Sequence, residues 1–187
     1  MRCNVWLLNR ENRFNLANIV TFANISLGII AMYFIQEERF GIAIVLAWIA
    51  GGFDILDGKI ARRFNLSCEF GVQLDSFADF ISFVVMPSFL LFYALEKPDE
   101  TALIISGAVF IYYIISGLRR LIEFNLKSEA GSVAKYFEGV PTPLGAILLW
   151  VLYLIYSYGI VTNIYMILAM VVVIAYLLNS KVKIPHP

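Results

Sequence analysis

Between Gly139 and Ser180 the chain runs for 42 residues without a Lys, Arg, Asp or Glu. As a single helix that stretch would be about 63 Å long at about 1.5 Å per residue, twice a bilayer hydrocarbon core of about 30 Å. It must therefore turn back on itself, and the polar, Gly-containing interruption Tyr158-Gly159 to Thr162-Asn163 is where a turn fits. Hydrophobic residues make up 60% of the 187 and charged residues 15%, an apolar excess too large for a water-soluble core. Lys+Arg and Asp+Glu balance at 14 each, which argues against a nucleic-acid footprint or a disordered solvating chain. An all-α, polytopic membrane protein is what remains.

Six runs are long and apolar enough to be helices of such a bundle: Leu16 to Ile35, Ile42 to Arg62, Phe70 to Leu95, Thr101 to Phe124, Pro143 to Ser157 and Asn163 to Leu178. With six spans both termini share a side. That side holds Arg2, Arg10, Arg13, Lys59, Arg62, Arg63, Arg119, Arg120, Lys127, Lys135, Lys181 and Lys183, leaving only Arg39 and Lys97 opposite. The positive-inside rule then places the termini, and the ends of spans two and four, in the cytoplasm. Residues 1–14 show no cleavable signal pattern, so the first span is the expected insertion signal, preceded by a short interfacial segment around Val5 to Leu8. Residues 181–187 read as a short, Pro-rich, loose tail. No loop is long enough for a soluble domain, so the expectation is one membrane domain over residues 1–187.

Cysteine and histidine narrow the chemistry by their scarcity. Cys3 and Cys68 give neither a disulfide framework nor a metal spacing, and His186 is the sole histidine. Ser-His-Asp and Cys-His catalysis are therefore out of reach, as are the usual zinc sites. Carboxylates are left, and they are concentrated. The segment from Gly51 to Ser82 puts Asp54, Asp57, Asp75 and Asp79 within or at the edge of apolar helices. At about 100° per residue, Asp54 and Asp57 lie about 60° apart, with Gly58 and Ala61 in the same sector. On the next helix Gly71, Asp75 and Asp79 recur at every fourth residue and form a second stripe. Two antiparallel helices joined by a short link can bring all four acids together.

Any one of these acids alone could be a solvated carboxylate at a helix end. Four in one pocket cannot all stay ionised without cations, and all-oxygen ligation suits Mg²⁺, Mn²⁺ or Ca²⁺. Two such ions stabilise charge on a transferring phosphoryl group. Lys59, Arg62 and Arg63 supply cations for phosphate, while Gly58 and Ala61 leave room for a ligand against the backbone.

The pattern Asp54-x2-Asp57-Gly58-x2-Ala61-Arg62-x8-Gly71-x3-Asp75-x3-Asp79 resembles the signature of the CDP-alcohol phosphatidyltransferase family at all eight of its positions. The resemblance implies a six-helix bundle and a homodimer. It makes Asp54, Asp57, Asp75 and Asp79 metal ligands, with Asp79 also the general base. Asp57, Gly58, Ala61, Arg62, Gly71 and Asp75 would bind the CDP part, beside Mg²⁺ or Mn²⁺ (Ca²⁺ as a possible occupant), two per site.

The flanking residues resemble the integral-membrane phosphatidylserine synthases. They include Ser67-x-Glu69-Phe70-Gly71, the run from Leu74 to Pro87, Phe137-x-Gly139-x-Pro141-x-Pro143, and Leu16-x-Asn18-x2-Thr21-x2-Asn24-x3-Gly28. Val84 stands where that branch has Gly, and Glu123 where it has a second Arg. The implied substrates are a CDP-linked lipid, diacyl or ether, and L-serine, with phosphatidylserine and CMP as products. Ser82, Arg119, Arg120, Glu123 and Asn125 are the candidate acceptor-binding residues, since serine needs a cation for its carboxylate and an acceptor for its ammonium. Rival readings are another acceptor in the same family, glycerol phosphate or inositol phosphate, and a cation channel or transporter built on the Asp cluster. No inverted repeat and no acidic residue in the outer half of the spans favours the channel.

Overall fold

The computed structural model describes residues 6–129, 136–138, 140–180 and 183–185. Arg2, Cys3, Val5, Lys135, Gly139, Lys181 and His186 lie outside the described residues. Helices dominate: α1 Leu16–Gln36, α2 Phe40–Phe64, α3 Glu69–Asp79, α4 Met86–Ala94, α5 Glu100–Glu129, α6 Thr142–Ser157 and α7 Ile164–Leu178. Trp6–Leu8 form a single 3₁₀ turn ahead of α1, with Trp6 exposed.

The boundaries follow local chemistry. Asn15 caps α1, its side chain accepting from the Asn18 N–H at 3.0 Å. α2 ends on Arg62 and Arg63, which suit a helix C-terminus, and closes through Asn65 at φ 52, a left-handed position that Asn tolerates. Cys68 caps α3, its Sγ accepting from the Gly71 N–H at 3.4 Å. α3 and α4 are one continuous helix of 26 residues, Glu69–Ala94, interrupted only by the π-helical segment Phe80–Val85. Pro87 follows that segment; it has no N–H to give, and its ring crowds the preceding turn. A π-helical turn lets the helix pass it without breaking.

The expected turn between the last two spans is present, with Gly159 at φ 68 and Asn163 capping α7 through a 2.9 Å bond from the Tyr165 N–H. Among the described residues, four helices are long and apolar enough to span a bilayer: α1, α2, the continuous α3–α4 and α5. α6 and α7, at 16 and 15 residues, reach only about 24 Å. The protein is a polytopic membrane bundle, with six apolar helices among the described residues, two of them short. Lys183–Pro185, expected to belong to a loose tail, instead pairs antiparallel with Tyr136–Glu138. The cause is backbone pairing between two short extended segments, which no side-chain pattern announces.

Packing divides the described residues into two units, one up to Ser82 and one from Phe83. In the first, α1 lies along α2 and also meets α3. Its buried stripe is Ala17, Asn18, Thr21, Asn24, Gly28, Ala31 and Ile35, against Ala43, Ala50 and Asp57 of α2. Small residues let the helices approach closely, as is usual in membranes. In the second unit, α5 packs on α7 and α4 on α6, around Leu91, Tyr113, Leu149, Ile167 and Leu178.

Two glycines let neighbouring helices pack closely. A Cβ on Gly28 would fall 3.0 Å from Ile81 Cγ2, and one on Gly117 would fall 2.5 Å from Val84 Cγ1. Gly107 has open space at its Cβ position. Lys97, between α4 and α5, donates to the Phe92 carbonyl with its ammonium 4.2 Å from the Phe92 ring centroid, and partial burial lowers its pKa.

Candidate active site

Carboxylate oxygens of Asp54, Asp57 and Asp75 lie within 4.8 Å of one another. Two come from successive turns of α2 and one from α3, as expected for two acidic stripes facing across a short link. Asp79, one turn further along α3, meets Asp54 side chain to side chain rather than joining that group of three. Asp57 is only 3% exposed, and its Oδ2 has no hydrogen-bond partner. Thr21 of α1 stands beside it.

A buried, unpartnered carboxylate oxygen is costly unless something positive meets it. Three carboxylates that can each offer an oxygen within 4.8 Å of the others fit a hard divalent cation, since the group is all oxygen.

Next to the carboxylates is a cleft of about 170 Å³. Asp57, Gly58, Ala61, Arg62, Gly71 and Asp75, the whole set expected to bind a CDP group, line it. The two glycines contribute differently. A Cβ on Gly58 would meet nothing closer than Arg62 Nη2 at 3.8 Å, so its hydrogen keeps the cleft open. A Cβ on Gly71 would fall 2.8 Å from Asn18 Oδ1, so there the missing side chain lets α3 approach α1.

The first helix supplies a wall that the acidic motif does not announce. Ala17, Asn18 and Thr21 line the cleft, as do Ser67 and Cys68 from the α2–α3 link. Asn18 is held by its own helix entry, with Nδ2 donating to the Arg13 carbonyl at 3.0 Å. Arg13 in turn lies over the Phe70 ring. The sequence carries a sign of it: Asn18, Thr21, Asn24 and Gly28 are among the polar or small residues of an apolar span, and at about 100° per residue these four fall on one stripe.

The sequence model of the CDP-alcohol phosphatidyltransferase family matches residues 14–175. The chain belongs to that family. The matched stretch takes in α1 and all eight signature positions. Relatives include proteins named CDP-diacylglycerol–serine O-phosphatidyltransferase from three organisms. The Helicobacter pylori protein is 31% identical over 131 residues, 70% of this chain and 54% of the relative. The Bacillus subtilis protein is 29% identical over 168 residues, 90% of this chain and 88% of the relative. The Methanocaldococcus jannaschii protein is 32% identical over 134 residues, 72% of this chain and 58% of the relative. The match thus spans about half of the Helicobacter protein and most of the Bacillus one.

The remaining candidates behave differently from the acidic motif. Ser82 is buried and donates to Asn24 Oδ1 at 2.8 Å. In the second unit, Arg119 pairs with Glu123 at 2.9 Å on the surface of α5. Arg120 is buried, and its Nε donates to the Val140 carbonyl at 3.2 Å. That bond ties the start of α6 to α5, a role that charge patterning alone does not reveal. Asn125 lies one turn beyond Leu121, half-buried.

Proposed function

We propose that the protein transfers the phosphatidyl group of CDP-diacylglycerol, or an ether-lipid analogue, to the hydroxyl of L-serine, giving phosphatidylserine and CMP. The carrying observation is the convergence of Asp54, Asp57 and Asp75 beside a cleft lined by all six residues expected to hold CDP. The serine transferases among its relatives support serine as acceptor.

In this reading Asp54, Asp57, Asp75 and Asp79 hold divalent cations, Mg²⁺ or Mn²⁺, two per site. Bound there, such ions neutralise charge on the pyrophosphate and the leaving CMP. Arg62 contacts phosphate from the rim, and Gly58 and Ala61 let the nucleotide lie against α2. Asp79 accepts the proton of the serine hydroxyl as that oxygen bonds to the lipid-side phosphorus and the bond to the CMP oxygen breaks. Arg119, Glu123 and Asn125 carry the kinds of charged and hydrogen-bonding groups that a serine carboxylate and ammonium call for, while the buried Arg120 holds the Val140 carbonyl. The Lys and Arg distribution supports a cytoplasmic site and cytoplasmic termini in the cell membrane, and the family resemblance supports a homodimer.

The test is purified protein with CDP-diacylglycerol, Mn²⁺ and labelled L-serine. The expected result is label in phospholipid, lost in Asp57→Asn and Asp79→Asn. An Asp79→Asn variant with full rate removes the base assignment, and absence of labelled lipid from the native chain removes serine as acceptor.

A further inference from the structure

The hydroxyls of Thr21, Ser26, Ser76, Ser88 and Ser106 each donate to the backbone carbonyl four residues earlier, a common arrangement for Ser and Thr in apolar helices. Ser82 does otherwise. It lies in the π-helical segment Phe80–Val85, where the carbonyl register is shifted. Its hydroxyl crosses to α1 and donates to Asn24 Oδ1 at 2.8 Å.

Asn24 is fully buried. With Oδ1 turned to Ser82, its amide nitrogen faces the opposite way and donates to Asp54 Oδ1 at 3.3 Å. Gly28, one turn along α1, makes the approach possible: a Cβ there would fall 3.3 Å from Ser82 Oγ and 3.0 Å from Ile81 Cγ2. A displaced register, a glycine seat and two directional bonds thus end on one carboxylate of the acidic group.

We propose that Ser82 and Asn24 are positioning residues that act in series to orient Asp54. Ser82 gives the buried Asn24 oxygen its donor, and this keeps the amide nitrogen on Asp54. The carboxylate is thereby held toward the point it shares with Asp57 and Asp75, and the affinity of the group for a divalent cation depends on a serine that does not touch it. Partners behind a metal ligand set its orientation, and losing one costs about 10–100-fold in metal affinity. Ser82, considered from sequence as an acceptor contact, thereby gains a different role. The inference rests on the metal reading given under the proposed function.

The test is Mn²⁺ binding to the full chain in detergent micelles, followed by the electron paramagnetic resonance signal of free Mn²⁺. Ser82→Ala and Asn24→Leu should each raise the Mn²⁺ Kd by about tenfold or more. A folding defect would instead lower the bound stoichiometry. Ser88→Ala, whose hydroxyl bonds only its own helix, should leave the Kd unchanged. Because the two residues act in series, adding Ser82→Ala to Asn24→Leu should weaken binding no further. A native Kd in Ser82→Ala, or full additivity in the double variant, overturns the relay alone. Failure of the native chain to bind Mn²⁺ overturns the metal reading and the relay with it.

Discussion

Gly117→Ala tests whether Val84 and Gly117 are matched in size across the packed helices. Val84 is fully buried, and the Cβ of an alanine at position 117 would sit 2.5, 2.8 and 3.2 Å from its Cγ1, Cγ2 and Cβ. The closest of these is about 0.9 Å inside the 3.4 Å at which ordinary contact begins. Val84 cannot swing clear, since a β-branched side chain in a helix has one favoured χ1 rotamer and its Cβ is itself too close. Overpacking of this kind costs about 1–3 kcal/mol, here toward the upper end, and the better helix propensity of Ala returns about 1 kcal/mol.

A net loss of about 2 kcal/mol corresponds to a fall of about 4–8 °C in Tm on the slope for chains of this size. Val84→Ala alone removes two buried methyls and costs about 2 kcal/mol. Combining the two should cost less than the sum of the parts, with a coupling of at least about 1 kcal/mol. Thermal unfolding of the four proteins in one detergent reads the cycle. A Gly117→Ala protein as stable as native, or a double variant whose losses simply add, would refute the size match between α5 and the π-helical segment.

The two cleft glycines should separate stability from binding. Gly58→Ala should raise Tm by about 2–4 °C, since Ala is the better helix former by about 1 kcal/mol, and raise the KM for the CDP-linked lipid, because its methyl enters the cleft without striking the protein. Gly71→Ala should lower both stability and activity, because its methyl strikes Asn18 Oδ1 at 2.8 Å; intact stability would remove the close approach of α1 and α3. Asp57→Asn should abolish Mn²⁺-dependent transfer while raising Tm in metal-free buffer, since it neutralises a buried carboxylate one of whose oxygens has no partner. Chelation of divalent ions should stop transfer by the native protein and Mn²⁺ should restore it, which a CMP-release assay follows directly.

The helix ends were legible because charge, Gly and Asn punctuate an otherwise apolar chain, and the Tyr158 to Asn163 turn was required by length alone. The acidic site was legible because carboxylates in apolar helices are costly and the helical angle places them on two stripes. What escaped notice depends on partners distant in sequence. Six mostly apolar residues from Phe80 to Val85 carry no sign of a π-helical register. Arg120 reads as one more cytoplasmic charge until Val140 is brought beside it. Asn24 reads as a polar residue in a span until Ser82, 58 residues away, is found holding it.

The central claim is the transfer of a phosphatidyl group to serine at the Asp54, Asp57 and Asp75 cluster. Its most direct test is the headgroup of the lipid formed when the purified protein meets CDP-diacylglycerol, Mn²⁺ and an equimolar mixture of L-serine, glycerol phosphate and inositol phosphate. Mass spectrometry should find phosphatidylserine, formed in step with CMP. A lipid carrying glycerol phosphate or inositol phosphate, with serine untouched, would contradict it.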